Sequence, residues 1–395
     1  MPTPQPTPST APVPAPRPAP SPTGPAHASI PAQLAALPHH PETATPPQPS
    51  PAPPHAPRPN PEPSAPPPHT TPPTPGPSLA NPAPSPATAH RPTPPTLLAD
   101  RPDGTVLRTG PTVAKAHAPD CDPADLAARL RVAAHPRLHG VLLPPLPLTA
   151  PDGFLVLLDD GRPATRWPYG APVAPDDPEG APWEDAARLL ARLHAVPTAR
   201  LPGPVPPMRG PAKAARALTR MRQAEVTSPA LRAAADTVER AWSPLPAWAR
   251  GQAPSPRADA LCHGDLHLGQ LVRHPAPDGP WLLIDIDDLG LGDPAWDLAR
   301  PAAWFATGLL APAVWTRFLD AYRAAGGPAV RPDGDPWPEL DVPARALTVQ
   351  TAALAVAKAA AAGRALDEVE AALVDACARM ASPPPPAESG SPAVG

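Results

Sequence analysis

Apolar and polar residues alternate in short runs from residue 96 and change to a helical period after residue 180. Thr96-Leu-Leu-Ala-Asp100, Thr105-Val-Leu-Arg-Thr109 and Thr112-Val-Ala-Lys-Ala-His117 read as three strands. The turn between the first two, Pro102-Asp103-Gly104, holds the Asp-Gly pair that hairpins favour. Asp122-Pro123 reads as an N-cap with proline at the first helical position, and Leu126, Leu130 and Ala133-Ala134 form the apolar stripe of the helix that follows. Val141–Leu143 and Phe154–Leu158 are further apolar strand candidates, followed by Asp160-Gly161 and Pro163–Trp167. Pro168-Tyr169-Gly170-Ala171-Pro172 interrupts all regular structure and marks a joint between two lobes. Beyond it, helices are predicted over Trp183–Ala195, Lys213–Gln223 and Ala230–Trp242, with another capped by Asp293-Pro294. An alanine-rich pair over 343–363 and 366–380 closes the series, and Leu261–Asp288 between them reads as short strands and turns. A small antiparallel sheet with one helix, followed by a mainly helical lobe, is an α+β arrangement.

Composition limits where that arrangement lies. Of 79 prolines in 395 residues, 37 precede residue 97, in a stretch with few charges and no apolar period. Proline fixes φ and removes a donor, so neither helix nor sheet propagates there. Residues 1–96 and 382–395 are therefore expected to be disordered Pro-rich tails, with Ile30–Leu37 able to form only a transient helical turn. The expected units are a small lobe over 97–168 and a helical lobe over 169–381. A net charge of −4 argues against a nucleic-acid footprint. No apolar run approaches the ~18 residues of a membrane span, and no secretory signal is expected at the start. Three cysteines without metal spacing fit a reducing, cytoplasmic setting.

Candidate chemistry concentrates in His263-Gly264-Asp265-Leu266-His267-Leu268-Gly269-Gln270 and, one hairpin later, Leu282-Leu283-Ile284-Asp285-Ile286-Asp287. Asp265 follows a short apolar lead and is placed to accept a hydroxyl proton. Gln270 offers an amide oxygen, a hard ligand for Mg²⁺, and the hairpin brings Asp285 beside it as the main metal ligand. Asp287 faces the same side by the two-residue strand period and reaches a second metal or its waters. Each acid alone reads first as part of a solvated loop. Together, with Ile284 and Ile286 flanking Asp285, they match what phosphoryl transfer from a nucleoside triphosphate needs. His267 is a candidate cation for the transferred phosphate and Arg108 a weaker one. His263 and Asp297 read as supports of the loop, and Trp167 and Tyr169 as surfaces for an adenine.

These motifs, with Gly292-Asp293-Pro294-Ala-Trp296-Asp297-Leu-Ala299 and Ala187–Pro197, resemble the aminoglycoside phosphotransferase / choline kinase family, over roughly 97–380. The resemblance implies a bilobal protein-kinase-like fold and an ATP- and Mg²⁺-dependent kinase acting on a small-molecule hydroxyl. It implies that Asp265 is the base, that Gln270 and Asp285 hold metal, and that Lys115 binds the nucleotide phosphates. The family usually has Asn where Gln270 stands; the Gln form is similar to its maltokinase-like members. The family's glutamate partner for the strand lysine is missing, Asp125 being the sole acid inside that helix, and the phosphate-covering turn Arg101–Gly104 has one glycine. A kinase fold that binds without transferring phosphate is the alternative. The acceptor is not readable. Asp176, Asp177, Glu179, Glu184 and Asp185 are placed either to attract a cationic amino sugar or simply to start a helix. Oligomeric state is likewise unread.

Overall fold

The computed structural model describes residues 28–38, 94–101, 103–149, 153–174 and 180–382. The rest of the expected tails lies outside the described residues.

The small lobe is a five-stranded antiparallel sheet in the order β1-β2-β3-β5-β4. Its strands are β1 (Thr96–Arg101), β2 (Gly104–Thr109), β3 (Thr112–His117), β4 (Leu155–Leu157) and β5 (Pro163–Pro168). Val106 lies opposite Lys115 and Leu107 opposite Ala114, so Lys115 and Leu107 point to opposite faces. The Leu107 face, with Ala114, Ala116 and Ala164, is apolar and buried. A helix covers it that composition did not predict to be stable: α1 (Ile30–Ala35). Six residues cannot sustain a helix in water. Here Leu34 and Leu37 are buried against that face, and the Gln33 amide accepts from the Asp159 backbone N–H at 2.8 Å. Tertiary packing thus supplies what the Pro-rich surroundings cannot, and the segment is a docked element rather than a transient turn.

Helix α2 (Pro123–Ala133) starts as predicted, with the Asp122 carboxylate accepting from the backbone of Ala124 and Asp125. Val141–Leu143 is not a strand. It makes one parallel bridge, Leu142 to Leu283, and Pro144-Pro145 then removes the donors that would extend it. The helical lobe follows with α3 (Trp183–His194), α4 (Gly210–Gln223), α5 (Pro229–Trp242), α6 (Ala295–Ala306), α7 (Pro312–Ala324), α8 (Trp337–Ala361) and α9 (Glu368–Ala381). Helix α8 is apolar on most sides because α4, α5, α6 and α9 all pack on it. Helix α7, unpredicted, packs on α3.

Two small sheets carry the loops between the lobes. In one, β6 (Ala171–Pro172), β8 (Leu271–Arg273) and β9 (Trp281–Leu283) run in the order β6-β8-β9. In the other, β7 (Ala260–Cys262) pairs with β10 (Gly290–Gly292). One segment, 263–270, leaves β7 and enters β8; a second, 284–289, leaves β9 and enters β10. Both therefore emerge at the floor of the cleft beneath β2 and β3.

Candidate active site

The first segment is held from below. Asp297, at the start of α6 and fully buried, accepts from the backbone N–H of His263 (2.6 Å) and Gly264 (2.7 Å). The His194 Nε2–H donates to the same carboxylate at 2.9 Å, and Tyr322 O–H donates to His194 Nδ1 at 2.8 Å. The carboxylate can only accept, which puts the His194 proton on Nε2. His263 Nε2–H donates to the Ile284 carbonyl at 2.8 Å, tying the two segments together, as the supporting roles of His263 and Asp297 required. Gly264 has φ +86°, and a Cβ there would collide with the Asp288 backbone. His194, Cys262 and Asp297 approach closely enough to suggest a metal trio. Asp297 and His194 are already hydrogen-bonded, and burial raises the Cys262 thiol well above its ordinary pKa, so no thiolate is on offer.

Two clusters of charge stand on this frame. In the first, Lys115 Nζ lies 2.7 Å from Asp285 and 2.9 Å from Asp287. Gln270 Nε2 donates to the other oxygen of Asp285 at 3.3 Å, and Ile284 N–H donates to the Gln270 carbonyl, so the hairpin does bring residue 270 beside 285. Burial alone would lower the Lys115 pKa; Asp285 and Asp287 more than reverse this and hold it above the ordinary value. Burial would likewise raise the Asp287 carboxyl, but Lys115 and His117 keep it well below the usual range. Asp285 has φ +64°, the sole positive φ among the described non-glycine residues. Such strain persists where the surroundings over-determine it, and it clusters at functional sites.

In the second cluster Asp265 receives Lys213 Nζ at 2.6 Å and Arg300 at 2.6 Å. Lys213 also reaches Asp288 at 2.8 Å. Burial would raise the Asp265 carboxyl; the two cations outweigh it and lower its pKa. The acid is therefore ionised throughout the neutral range. The stability it contributes is present above its unfolded pKa and lost as pH falls through the depressed folded value. Lys213→Met is accordingly expected to raise the Asp265 carboxyl pKa, as followed by an NMR pH titration of that carboxyl, while Lys213→Arg leaves it near wild type. An unmoved titration in the Met variant would show that Lys213 does not hold the Asp265 charge.

Two cavities meet at Lys115, Asp285 and Asp287. The more apolar one, about 600 Å³, is walled by Val106, Leu143, Trp167, Tyr169 and Ile284, with Gln270 on its floor. The other, about 410 Å³, opens between the Arg101–Gly104 turn and α4.

Other expected residues sit elsewhere. Arg108 stacks on Tyr169, its guanidinium carbon 3.5 Å from the ring centroid, and donates to the Gly110 carbonyl; it lines neither cavity. His267 is no cation: burial pushes its pKa down to about 4, and its Nδ1 accepts from Gly269 N–H. Asp125 turns outward to Arg129 at 3.6 Å, so α2 gives Lys115 no carboxylate. Glu184 pairs with Arg317 and Asp185 with Arg188, while residues 176–179 lie outside the described residues.

Lys213, Arg300, Asp288 and His117 join the site without having been expected there. His117 was findable, since it lies two residues beyond Lys115 on the same face of β3. Arg300 lies one helical turn past Asp297, an available signal too. Lys213 had none, because α4 sits fifty residues before the loop it serves.

A family model described as "Phosphotransferase enzyme family" matches residues 103–340. No curated protein matches. Among solved structures, a choline/ethanolamine kinase family protein from Mesorhizobium loti is 18% identical, with 74% of this chain and 89% of that one covered at a TM-score of 0.43. A thermostable mutant of the aminoglycoside phosphotransferase APH(4)-Ia, in a ternary complex with AMP-PNP and hygromycin B, is 15% identical, covering 74% and 95% at 0.48. The spectinomycin phosphotransferase APH(9)-Ia, with ADP and spectinomycin, is 12% identical, covering 73% and 89% at 0.44. With the family model spanning most of both lobes, the chain belongs to the phosphotransferase enzyme family.

Proposed function

We propose that the chain is an ATP-dependent kinase that moves the terminal phosphoryl group to a hydroxyl of a small molecule. One observation carries the reading. Lys115, Asp285, Asp287 and Gln270 converge at the mouth of an apolar cavity, and Asp265 stands ionised on the adjoining segment.

The residues fit a hard divalent cation. Their ligand atoms are carboxylate and amide oxygens, as Mg²⁺ prefers. The Lys115 ammonium already stands between the two acids as a cation would. Asp287 Oδ1 is buried without a hydrogen bond, its 2.9 Å approach to His117 Nδ1 being misaligned. Asp285 and Asp287 would hold the ion, with Gln270 joining after a half-turn that exchanges its amide nitrogen and oxygen. When bound, such an ion neutralises charge on the terminal phosphates.

The remaining work falls to this chain. The apolar cavity accepts a base between Val106, Trp167 and Ile284. Lys115 meets phosphate oxygens at its mouth. Asp265 orients the acceptor hydroxyl and takes its proton. A carboxylate held below its ordinary pKa is a weak base. That suits a transfer with a loose transition state, in which positioning outweighs basicity.

A fold that binds nucleotide without transferring phosphate is favoured by one feature, the absence of a helix carboxylate opposite Lys115. Thermal denaturation with Mg-ATP tests the enzyme reading first. Ligand at 100 times its dissociation constant adds about 2.7 kcal/mol to the folded state. The kinase reading expects that shift together with ADP formation; no shift at millimolar Mg-ATP would contradict it.

A further inference from the structure

The 410 Å³ cavity is walled along one side by α4. Arg209, Lys213, Arg216 and Arg220 recur there at intervals of four, three and four residues, which puts them on one helical face. Helix α4 contains no acid at all. Like charges four apart repel on a helix. Lys213 and Arg209 find relief in Asp265 and Asp288. Arg216 and Arg220, and Arg101 across the cavity, have no ion-pair partner among the described residues. Partial burial, then the Arg209 guanidinium, hold the Arg216 pKa below its ordinary value against the opposing pull of Asp288 and Asp120, which line the same cavity with Asp103. Among the described residues no aromatic side chain lines this cavity, so they offer no ring face of the kind that holds a quaternary ammonium.

On the kinase reading the nucleotide base takes the apolar cavity and its phosphates reach Lys115 under the Arg101–Gly104 turn, where the two cavities join, which leaves the far half of the stripe without a partner. From Lys213, beside Asp265, the helix runs seven residues to Arg220, about 10 Å at 1.5 Å per residue. The distal arginines therefore lie up to about 10 Å along the helix from the Lys213–Asp265 contact, and they line this cavity and not the apolar one.

We propose that the acceptor is a small hydroxyl compound bearing a phosphate or carboxylate group, held by Arg216 and Arg220 beyond Asp265. The inference rests on the kinase reading above and names its substrate class. The hydroxyl oxygen forms a bond to the terminal phosphorus of ATP as the bond from that phosphorus to the bridging oxygen breaks. ADP leaves with the bond pair, the hydroxyl proton passes to Asp265, and the product is a phosphate ester with one more anionic group. Arg216 and Arg220 orient the substrate by its existing charge and take no part in the bond changes.

The test measures ADP formation by the full chain with Mg-ATP and matched acceptors: glucose, glucosamine, glucose 6-phosphate and gluconate, and glycerol, choline, glycerol 3-phosphate and glycerate. Calorimetry of the same compounds is run beside it with Mg-AMP-PNP present. The anionic members are expected to be favoured in kcat/KM or affinity by tenfold or more. Arg216→Ala with Arg220→Ala, two exposed positions whose loss leaves the core intact, should weaken that preference about 10–100-fold, the loss of one or two charge-assisted hydrogen bonds. The Mg-ATP melting shift of that variant should match wild type. A preference for glucosamine, choline or the neutral compounds, or anion binding indifferent to the double substitution, would overturn the proposal while leaving the kinase reading intact. A double variant that loses its Mg-ATP shift would overturn it too, by assigning the stripe to the nucleotide. Absence of any Mg-ATP shift in wild type would instead sink the kinase reading, and this acceptor with it.

Discussion

Asp285→Asn is expected to reduce phosphoryl transfer by about 10³-fold or more, the upper end of what removing one preorganised electrostatic group costs. The loss should fall on kcat. The choice of asparagine matters. Asp285 sits at φ +64°, a conformation asparagine adopts more readily than most residues. The substitution therefore removes charge while sparing the backbone. Lys115 keeps its contact with Asp287 at 2.9 Å, so the small lobe stays tied to the floor of the cleft. A melting temperature within a few degrees of wild type is the expected companion result. Turnover at the wild-type rate would show that the ion is held elsewhere.

The second large effect concerns a residue that touches no substrate. Asp297→Ala is expected to cost stability and activity together. Its carboxylate accepts from His263 N–H, Gly264 N–H and His194 Nε2–H, all in the interior. Truncation leaves three buried donors unsatisfied, at ~1–3 kcal/mol each. A domain of this size loses roughly 2–4 °C per kcal/mol, so a fall of about 10 °C or more in Tm follows. The backbone of 263–264 also positions Asp265, and a shift near 1 Å at a reacting group can cost about 10²-fold in rate. The readout that separates positioning from mere instability is kcat measured well below the lowered Tm. It should remain depressed there, with the KM for ATP little changed. Recovery of full kcat at low temperature would show that Asp297 acts on stability alone.

Elements defined by local patterns were legible in the sequence. The three strands before residue 118 follow the two-residue alternation and an Asp-Gly turn, and α2 starts where Asp122-Pro123 places it. The hairpin that sets Gln270 beside Asp285 needed only two apolar runs and a turn between them. What depended on distant partners was hidden. Helix α1 exists because Leu34 and Leu37 find an apolar sheet face more than sixty residues away in the chain. Residues 141–143 look like a strand until the following prolines remove its donors. The ionisation of Asp265 depends on Lys213 and Arg300, one before it and one after it, and its own neighbours in sequence say nothing of either. The charge state of His267 was hidden for the same reason, because burial decides it and sequence spacing does not encode burial.

The proposed phosphoryl transfer requires that Asp285, Asp287 and Gln270 gather a divalent ion and a triphosphate against Lys115. Calorimetric titration of AMP-PNP into the full chain, with Mg²⁺ and again with excess chelator, examines this most directly. One nucleotide bound per chain with Mg²⁺, and binding weakened both by chelation and by Asp285→Asn, is the predicted result. Binding that ignores the metal and the substitution, or no binding at millimolar nucleotide, would contradict it.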